Sequence, residues 1–257
     1  MGPAQIPIDD RGFLLGDGLF ETVLFKTGRP VLWEAHVARL LRGCAAIGLP
    51  APDAGRLRTE ADQAVAGQGL GGARAAVRLT WTAGSGGRGL GRPEPLLPRL
   101  TASAAENARP QTPATVAVSA IRRNEHSPSA RLKSLGYLDN VLARREAEAA
   151  GADEALLLDT AGHLACAAAA NLFWIADGRL HTPSLACGVL DGIMRAQVIA
   201  AAPVEEVRAD LAALQRAEAA FLTNSLIGIR PIAALDGRGL APHPVIDQLI
   251  ARLAELF

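Results

Sequence analysis

The apolar residues of this chain come in short bursts set between turn signals, and that spacing limits the fold more than any other feature. Residues 20–25 (FETVLF) and 30–33 flank Lys26-Thr27-Gly28-Arg29, a Gly-bearing turn. Bursts at 154–158, 164–167 and 171–175 crowd together, and Asp177-Gly178 follows as a hairpin signal. A parallel crossover needs a dozen or more residues. Strands this close pair as antiparallel neighbours, which predicts an α+β fold rather than a regular βαβ alternation.

Helical spacing fills the intervals. Residues 34–47 end at Gly48, a helix stop, and 54–66 form a second helix. Residues 133–150 read as a helix with Leu138, Val141, Leu142 and Ala149 on one side. Others begin near Gly192, running to 201, and span 243–256. Strands are expected at 74–82, 99–103 and 115–121, and strand, helix and strand run on to Asn224. Residues 83–97 are a Gly- and Pro-rich loop, and 105–113 (AENARPQTP) read as a linker. A length of 257 suits one large or two small domains, so the expected division is 1–104, a linker at 105–113, and 114–257.

Composition narrows the function classes. Lys plus Arg equals Asp plus Glu at 26 each, which argues against a nucleic-acid or anionic-membrane binder. At 49% hydrophobic, the chain has enough apolar surface to offset its ordering entropy. Cys44, Cys166 and Cys187 are odd in number and widely spaced, so no disulfide framework is expected and a reducing cytoplasm is the default. The start, MGPAQIPIDDRG, lacks the regions of a signal peptide, and Ile6 stands where myristoylation requires Ser or Thr. No apolar run is long enough for a transmembrane helix. The five His residues never fall at i, i+4, so no metal site is expected.

Of the 26 basic residues only Lys26 and Lys133 are lysines. Where coding bias favours Arg, a surviving Lys marks a place that Arg cannot fill, because only Lys can lose its proton and act as an amine nucleophile or base. Lys26 lies in the hairpin turn and reads as a solvated charge. Lys133 follows NEHSPSAR and precedes the expected helix, whose positive end would help lower the amine pKa, as burial would. A neutral amine there can form a Schiff base with an aldehyde. Gly84-Ser85-Gly86-Gly87-Arg88-Gly89 matches GxGxxG, but the LGRPEPLLP that follows cannot open the helix a dinucleotide site requires. It reads instead as a flexible loop presenting Arg88 to a carboxylate.

Several phrases in order carry a resemblance: DRGFLLGDGLFETV (10–23), HVARL (36–40), GSGGRG (84–89), KSLGYLDNVLARREA (133–147), AANLFW (169–174), GVLDGIMR (188–195) and FLTNSLIGIRPI (221–232). Together they resemble the class IV, fold type IV pyridoxal-phosphate enzymes, which include branched-chain and D-amino-acid aminotransferases and aminodeoxychorismate lyases. The resemblance implies a two-domain D-amino-acid aminotransferase-like fold, with a small N-terminal α/β domain and a larger, barrel-like C-terminal α+β domain. It implies a homodimer and pyridoxal 5'-phosphate as cofactor. Lys133 matches the Schiff-base lysine and Arg39 the phosphate-binding arginine. The amides of Ile193 and Met194 match the phosphate cup, Ser225 a hydroxyl donor to it, and Asn171 a structural place near the cofactor. Phe20 stands where the D-amino-acid branch has tyrosine. Tyr137, four residues past Lys133, would share a helical face with it, and Arg88 is a substrate-carboxylate candidate.

One position departs. The family's glutamate beside the pyridine nitrogen, five residues before the Asn of ANLF, is Cys166 here, and Asp153, Glu154 and Asp159 are the replacement carboxylates nearest along the chain. GSGGRG and AANLFW are most like aminodeoxychorismate lyase, so the expected reaction is conversion of 4-amino-4-deoxychorismate to 4-aminobenzoate and pyruvate. The alternatives are a class IV aminotransferase for D- or branched-chain amino acids, and a homologue impaired by Cys166.

Overall fold

A computed structural model describes residues 5–257, which divide into two compact units. One runs through Ala108 and includes Leu132–Gly136; the other comprises Arg109–Arg131 and Tyr137–Phe257. The opening Met-Gly pair, weighed above for acylation, lies outside the described residues.

The first unit contains α1 (Arg11–Leu15), β1 (Gly18–Lys26), β2 (Arg29–Pro30), α2 (Trp33–Ile47), α3 (Ala54–Gly67), β3 (Arg74–Thr82) and β4 (Arg99–Glu106). Its antiparallel sheet has the order β2-β1-β3-β4. Thr27 and Gly28 turn the first hairpin with φ of 47° and 73°, the left-handed pair whose twist matches that of the strands. Side chains alternate along a strand. Val23, Phe25, Val77, Leu79 and Trp81 therefore form one buried face against Val37, Leu40, Leu57 and Val65 of the helices. The strand expected at 30–33 stops at Pro30, because Leu32 is left-handed and Trp33 already opens α2. Helix α1 was not foreseen; the Asp10 carboxylate caps it, accepting from the amides of Gly12 and Phe13.

The Gly-rich stretch stays a loop. Gly84 has φ 77°, and a Cβ there would meet the Leu97 carbonyl oxygen at 1.8 Å, so only glycine fits. The Arg11 guanidinium ties the loop down by donating to the carbonyls of Gly89, Leu90 and Gly91. Asp17 accepts from Arg11 and from Arg92.

The second unit contains β5 (Ala114–Arg123), α4 (Leu138–Ala149), β6 (Glu154–Asp159), β7 (Leu164–Ala167), β8 (Asn171–Ala176), β9 (Arg179–Pro183), α5 (Ile193–Ala201), β10 (Val204–Val207), α6 (Leu211–Gln215), β11 (Ala219–Asn224), β12 (Gly228–Leu235), β13 (Arg238–Gly239) and α7 (Pro244–Arg252). Nine strands form a mixed sheet curled into a half-barrel, with the order β10-β9-β8-β11-β12-β5-β6-β7 and β13 beside β12. Of the crowded bursts, β6 and β7 form an antiparallel pair, and β8 pairs antiparallel with β9 across Asp177-Gly178; β7 and β8, close in sequence, are not neighbours in the sheet, where β8 lies between β9 and β11. β5 and β6 are parallel, and α4 makes the crossover between them. Leu156, Leu164, Leu172, Trp174 and Leu222 fill one core. Ala143 and Ala147 of α4 pack on Ala155 and Leu157 in another.

The helix expected from residue 133 begins only at Leu138. Leu132–Gly136 are extended and belong to the first unit: the Phe20 amide donates to the Lys133 carbonyl at 2.9 Å and the Leu135 amide to the Gly18 carbonyl at 3.1 Å. Strand-like pairing with β1 has captured the backbone groups that a helix would have used. The helix-terminus argument for Lys133 is thereby overturned, and so is the shared helical face with Tyr137, which is instead the half-buried N-cap residue of α4.

Candidate active site

In the first unit the extended segment sets Lys133, half-buried, above the ring of Phe20, with Nζ 4.2 Å from the ring centroid. The exposed Arg78, two residues before Thr80 on β3, brings its guanidinium to 3.7 Å from the same centroid. Burial lowers the Lys133 pKa to about 8; the charges of Arg39 and Arg78 lower it too, and Glu21 opposes them. At pH 7 about a tenth of such an amine is neutral, against roughly 0.03% at an ordinary lysine pKa. The lone-lysine signal therefore led to an activated amine, but desolvation and two guanidiniums activate it rather than a helix dipole.

Glu21 follows Phe20 on β1 and faces α2. Its carboxylate accepts from Arg39 Nε at 2.8 Å and from an Arg39 terminal nitrogen at 2.6 Å. His36 Nδ1 lies 2.7 Å from the same carboxylate. Burial pushes the Glu21 pKa up, but the hydrogen bonds from Arg39 and His36 outweigh it and hold the group at about 2. Burial lowers the His36 pKa despite Glu21, so His36 is neutral at pH 7 and donates through Nδ1. Of the sequence candidates, Phe20, Arg39 and Lys133 share this unit. Arg88 does as well, but it is exposed in the loop and makes no hydrogen bond or ion pair among the described residues. Glu21, His36 and Arg78 were missed. A lone acid in an otherwise apolar strand, and the i, i+3 spacing of His36 and Arg39 on one helix, were the available signals.

In the second unit Asn171 opens β8, and its Nδ2 donates to the Leu190 carbonyl at 2.9 Å. Its Oδ1 lies 1.9 Å from where a Gly192 Cβ would stand. Asn171 thus props the turn that opens α5. Gly192 caps α5 without a side chain, so the amides of Ile193 and Met194 have no side-chain cap. Ser225 follows β11, whose Thr223 pairs with Asn171. Thr223 Oγ1 and Arg195 Nε are buried without a hydrogen-bond partner.

Cys166 is buried on β7 with Ala165, Cys187 and Val189, and burial pushes its thiol pKa up, so it is neutral. Of the three replacement carboxylates, Asp153 is engaged by Thr115 and Arg230, and Asp159 by His163. Glu154 is buried, accepts from the Ala155 amide, and is the one of the three whose charge bears on the Cys166 thiol. Burial raises its own pKa.

Residues 18–235 match the family model described as amino-transferase class IV. An aminodeoxychorismate lyase of Vibrio harveyi is 29% identical over 97% of this chain and 93% of its own length. A D-alanine aminotransferase of Listeria innocua is 30% identical over 96% of this chain and 89% of its own. The crystal structure of 4-amino-4-deoxychorismate lyase from Pseudomonas aeruginosa superposes with a TM-score of 0.85 at 32% identity, over 99% of this chain and 96% of that one. With nearly its whole length matched in sequence and in fold, the chain belongs to the class IV aminotransferase family, whose members are pyridoxal-phosphate-dependent enzymes.

Proposed function

We propose that this chain is a pyridoxal-phosphate lyase that converts 4-amino-4-deoxychorismate to 4-aminobenzoate and pyruvate. The observation that carries the reading is the activated Lys133 amine over the Phe20 ring, which it shares with the Arg78 guanidinium. Each unit carries donors that suit the cofactor: in the first, Lys133 for its aldehyde and Arg39 for its phosphate; in the second, the first-turn amides of α5 and Ser225 for its phosphate, with the Thr223 hydroxyl, two residues before Ser225, lacking a hydrogen-bond partner among the described residues. A helix N-terminus is a ready site for an anion. When bound, the cofactor supplies an electron sink for charge developing at the substrate Cα.

Lys133 takes the Cα proton as general base, its lowered pKa matching that task near neutrality. Arg78, which shares the Phe20 ring with Lys133, is a substrate-carboxylate candidate alongside Arg88. Cys166 favours a lyase over a transaminase. A neutral thiol replaces a charge-assisted hydrogen bond worth roughly 1.5–3 kcal/mol, or about one to two decades in rate if fully expressed. Aromatisation of the product supplies driving force that transamination lacks. Exposed apolar residues on α1 (Phe13, Leu14, Leu15) and α4 (Leu138, Val141, Leu142) support a homodimer. Among the described residues no helix is long and apolar enough to cross a membrane, and the proposed site of action is the cytoplasm.

The test supplies 4-amino-4-deoxychorismate in one assay and an amino acid with 2-oxoglutarate in another. Pyruvate release in the first without keto-acid exchange in the second is expected. Exchange without pyruvate release would overturn the lyase in favour of an aminotransferase.

A further inference from the structure

A buried carboxylate in an apolar core usually costs more than a hydrocarbon of its size. Glu21 nevertheless lies among Leu19, Val23, Val37 and Leu40 with 1% of its surface exposed. His36, its partner, is 2% exposed. Stability alone does not account for an ionised group there, and its geometry is that of a clamp. Glu21 meets Arg39 in a two-point fork, at 2.8 and 2.6 Å, that fixes the guanidinium plane. His36, one helical turn before Arg39, holds the same carboxylate from another direction at 2.7 Å. Because His36 is neutral, it orients Glu21 without adding a second cation to compete for it. An arginine side chain, with its many rotatable bonds, has much rotamer entropy to lose on being ordered. Glu21 and His36 have already removed that freedom before any ligand arrives.

We propose that Glu21 and His36 are positioning residues that hold the Arg39 guanidinium in place for a phosphate dianion, with His36 acting through Glu21. This inference rests on the assignment of Arg39 to the cofactor phosphate. It also gives Glu21 a second task. Its charge offsets the repulsion between Arg39 and Lys133, keeping two cations in one neighbourhood tolerable.

The test uses the full chain and compares two ligands, pyridoxal phosphate and pyridoxal, which lacks the phosphate. Dissociation constants are measured by equilibrium dialysis for the wild type and for Glu21→Gln, His36→Phe and His36→Asn. In the wild type the phosphate is expected to tighten binding at least a hundredfold. Glu21→Gln and His36→Phe should lose at least tenfold of that ratio while pyridoxal binding stays within about threefold. His36→Asn, whose amide reproduces the Nδ1 donor, should restore most of it. Losses that are equal for both ligands, or absent for both, would overturn the positioning role and leave Arg39 assigned to the phosphate. A wild type that binds both ligands equally would instead overturn the Arg39 assignment, and this inference with it. If Glu21→Gln does not fold by circular dichroism, the two His36 variants decide the question.

Discussion

Removing the charge of Arg78 should raise the pKa of Lys133, and its size follows from the shared aromatic ring. Both cations lie over Phe20, at 3.7 and 4.2 Å from its centroid. Their charges are therefore no more than about 8 Å apart, a separation at which Coulomb's law gives about 0.5 kcal/mol in water and about 2 kcal/mol at an effective dielectric of 20. The exposure of Arg78 favours the lower half of that range. A shift of one pKa unit corresponds to about 1.4 kcal/mol, so Arg78→Gln should raise the pKa of Lys133, now about 8, by roughly 0.4 to 1 unit. The sign is fixed: taking away a neighbouring cation favours the protonated amine. The assay is the pH dependence of adduct formation with pyridoxal, trapped by borohydride and mapped to residue 133. Pyridoxal carries no carboxylate, so any role of Arg78 toward substrate does not enter. At pH 7 the variant should react roughly two to ten times more slowly, and added salt should narrow the gap. An unchanged or lowered pKa would refute the idea that Arg78 helps to activate the amine.

Three further outcomes are expected. Lys133→Ala should abolish the borohydride-trapped adduct and Lys26→Ala should not, as peptide mapping will show. Cys166→Glu, which restores a carboxylate at that position, should speed Cα proton abstraction by about one to two decades in a deuterium-exchange assay. Gly192→Ala would drive a methyl group into Asn171 Oδ1, 1.9 Å away. It should destabilise the fold by about 1–3 kcal/mol in denaturant melts and weaken pyridoxal phosphate binding at least tenfold, because the turn that opens α5 must shift.

The parts of this molecule that announce themselves locally were legible in its sequence. Strand β3 falls at residues 74–82 as expected, because buried Ala75, Val77, Leu79 and Trp81 alternate with the half-buried or exposed Arg74, Ala76, Arg78 and Thr80. Asp177, with φ 50°, and Gly178 turn the β8–β9 hairpin as their dipeptide implies. Lys133 stood out by its rarity, and the resemblance gave it a role. Its conformation was not legible, since the helical period of 138–149 extends backward through Ser134 and Leu135 without a proline to stop it, whereas the extended state depends on pairing with Gly18 and Phe20, more than a hundred residues away. Glu21 was overlooked for the same reason: its partners lie 15 and 18 residues distant, and nothing in FETV names them. The departure at Cys166 was visible only because a resemblance said what should stand there.

The placement of Leu132–Gly136 in the first unit has a consequence for biosynthesis. As the chain leaves the ribosome, β1 to β4 emerge well before the five residues that pair with β1, and β5 emerges between them. During that interval the backbone groups of Gly18 and Phe20 await their partners, and the nascent unit has no reactive amine beside Phe20. The Lys133 amine is set in place late, once the sheet that receives its segment has been made. A fragment ending at residue 108 would thus be incomplete along that edge and would lack the amine above Phe20, however well its helices pack.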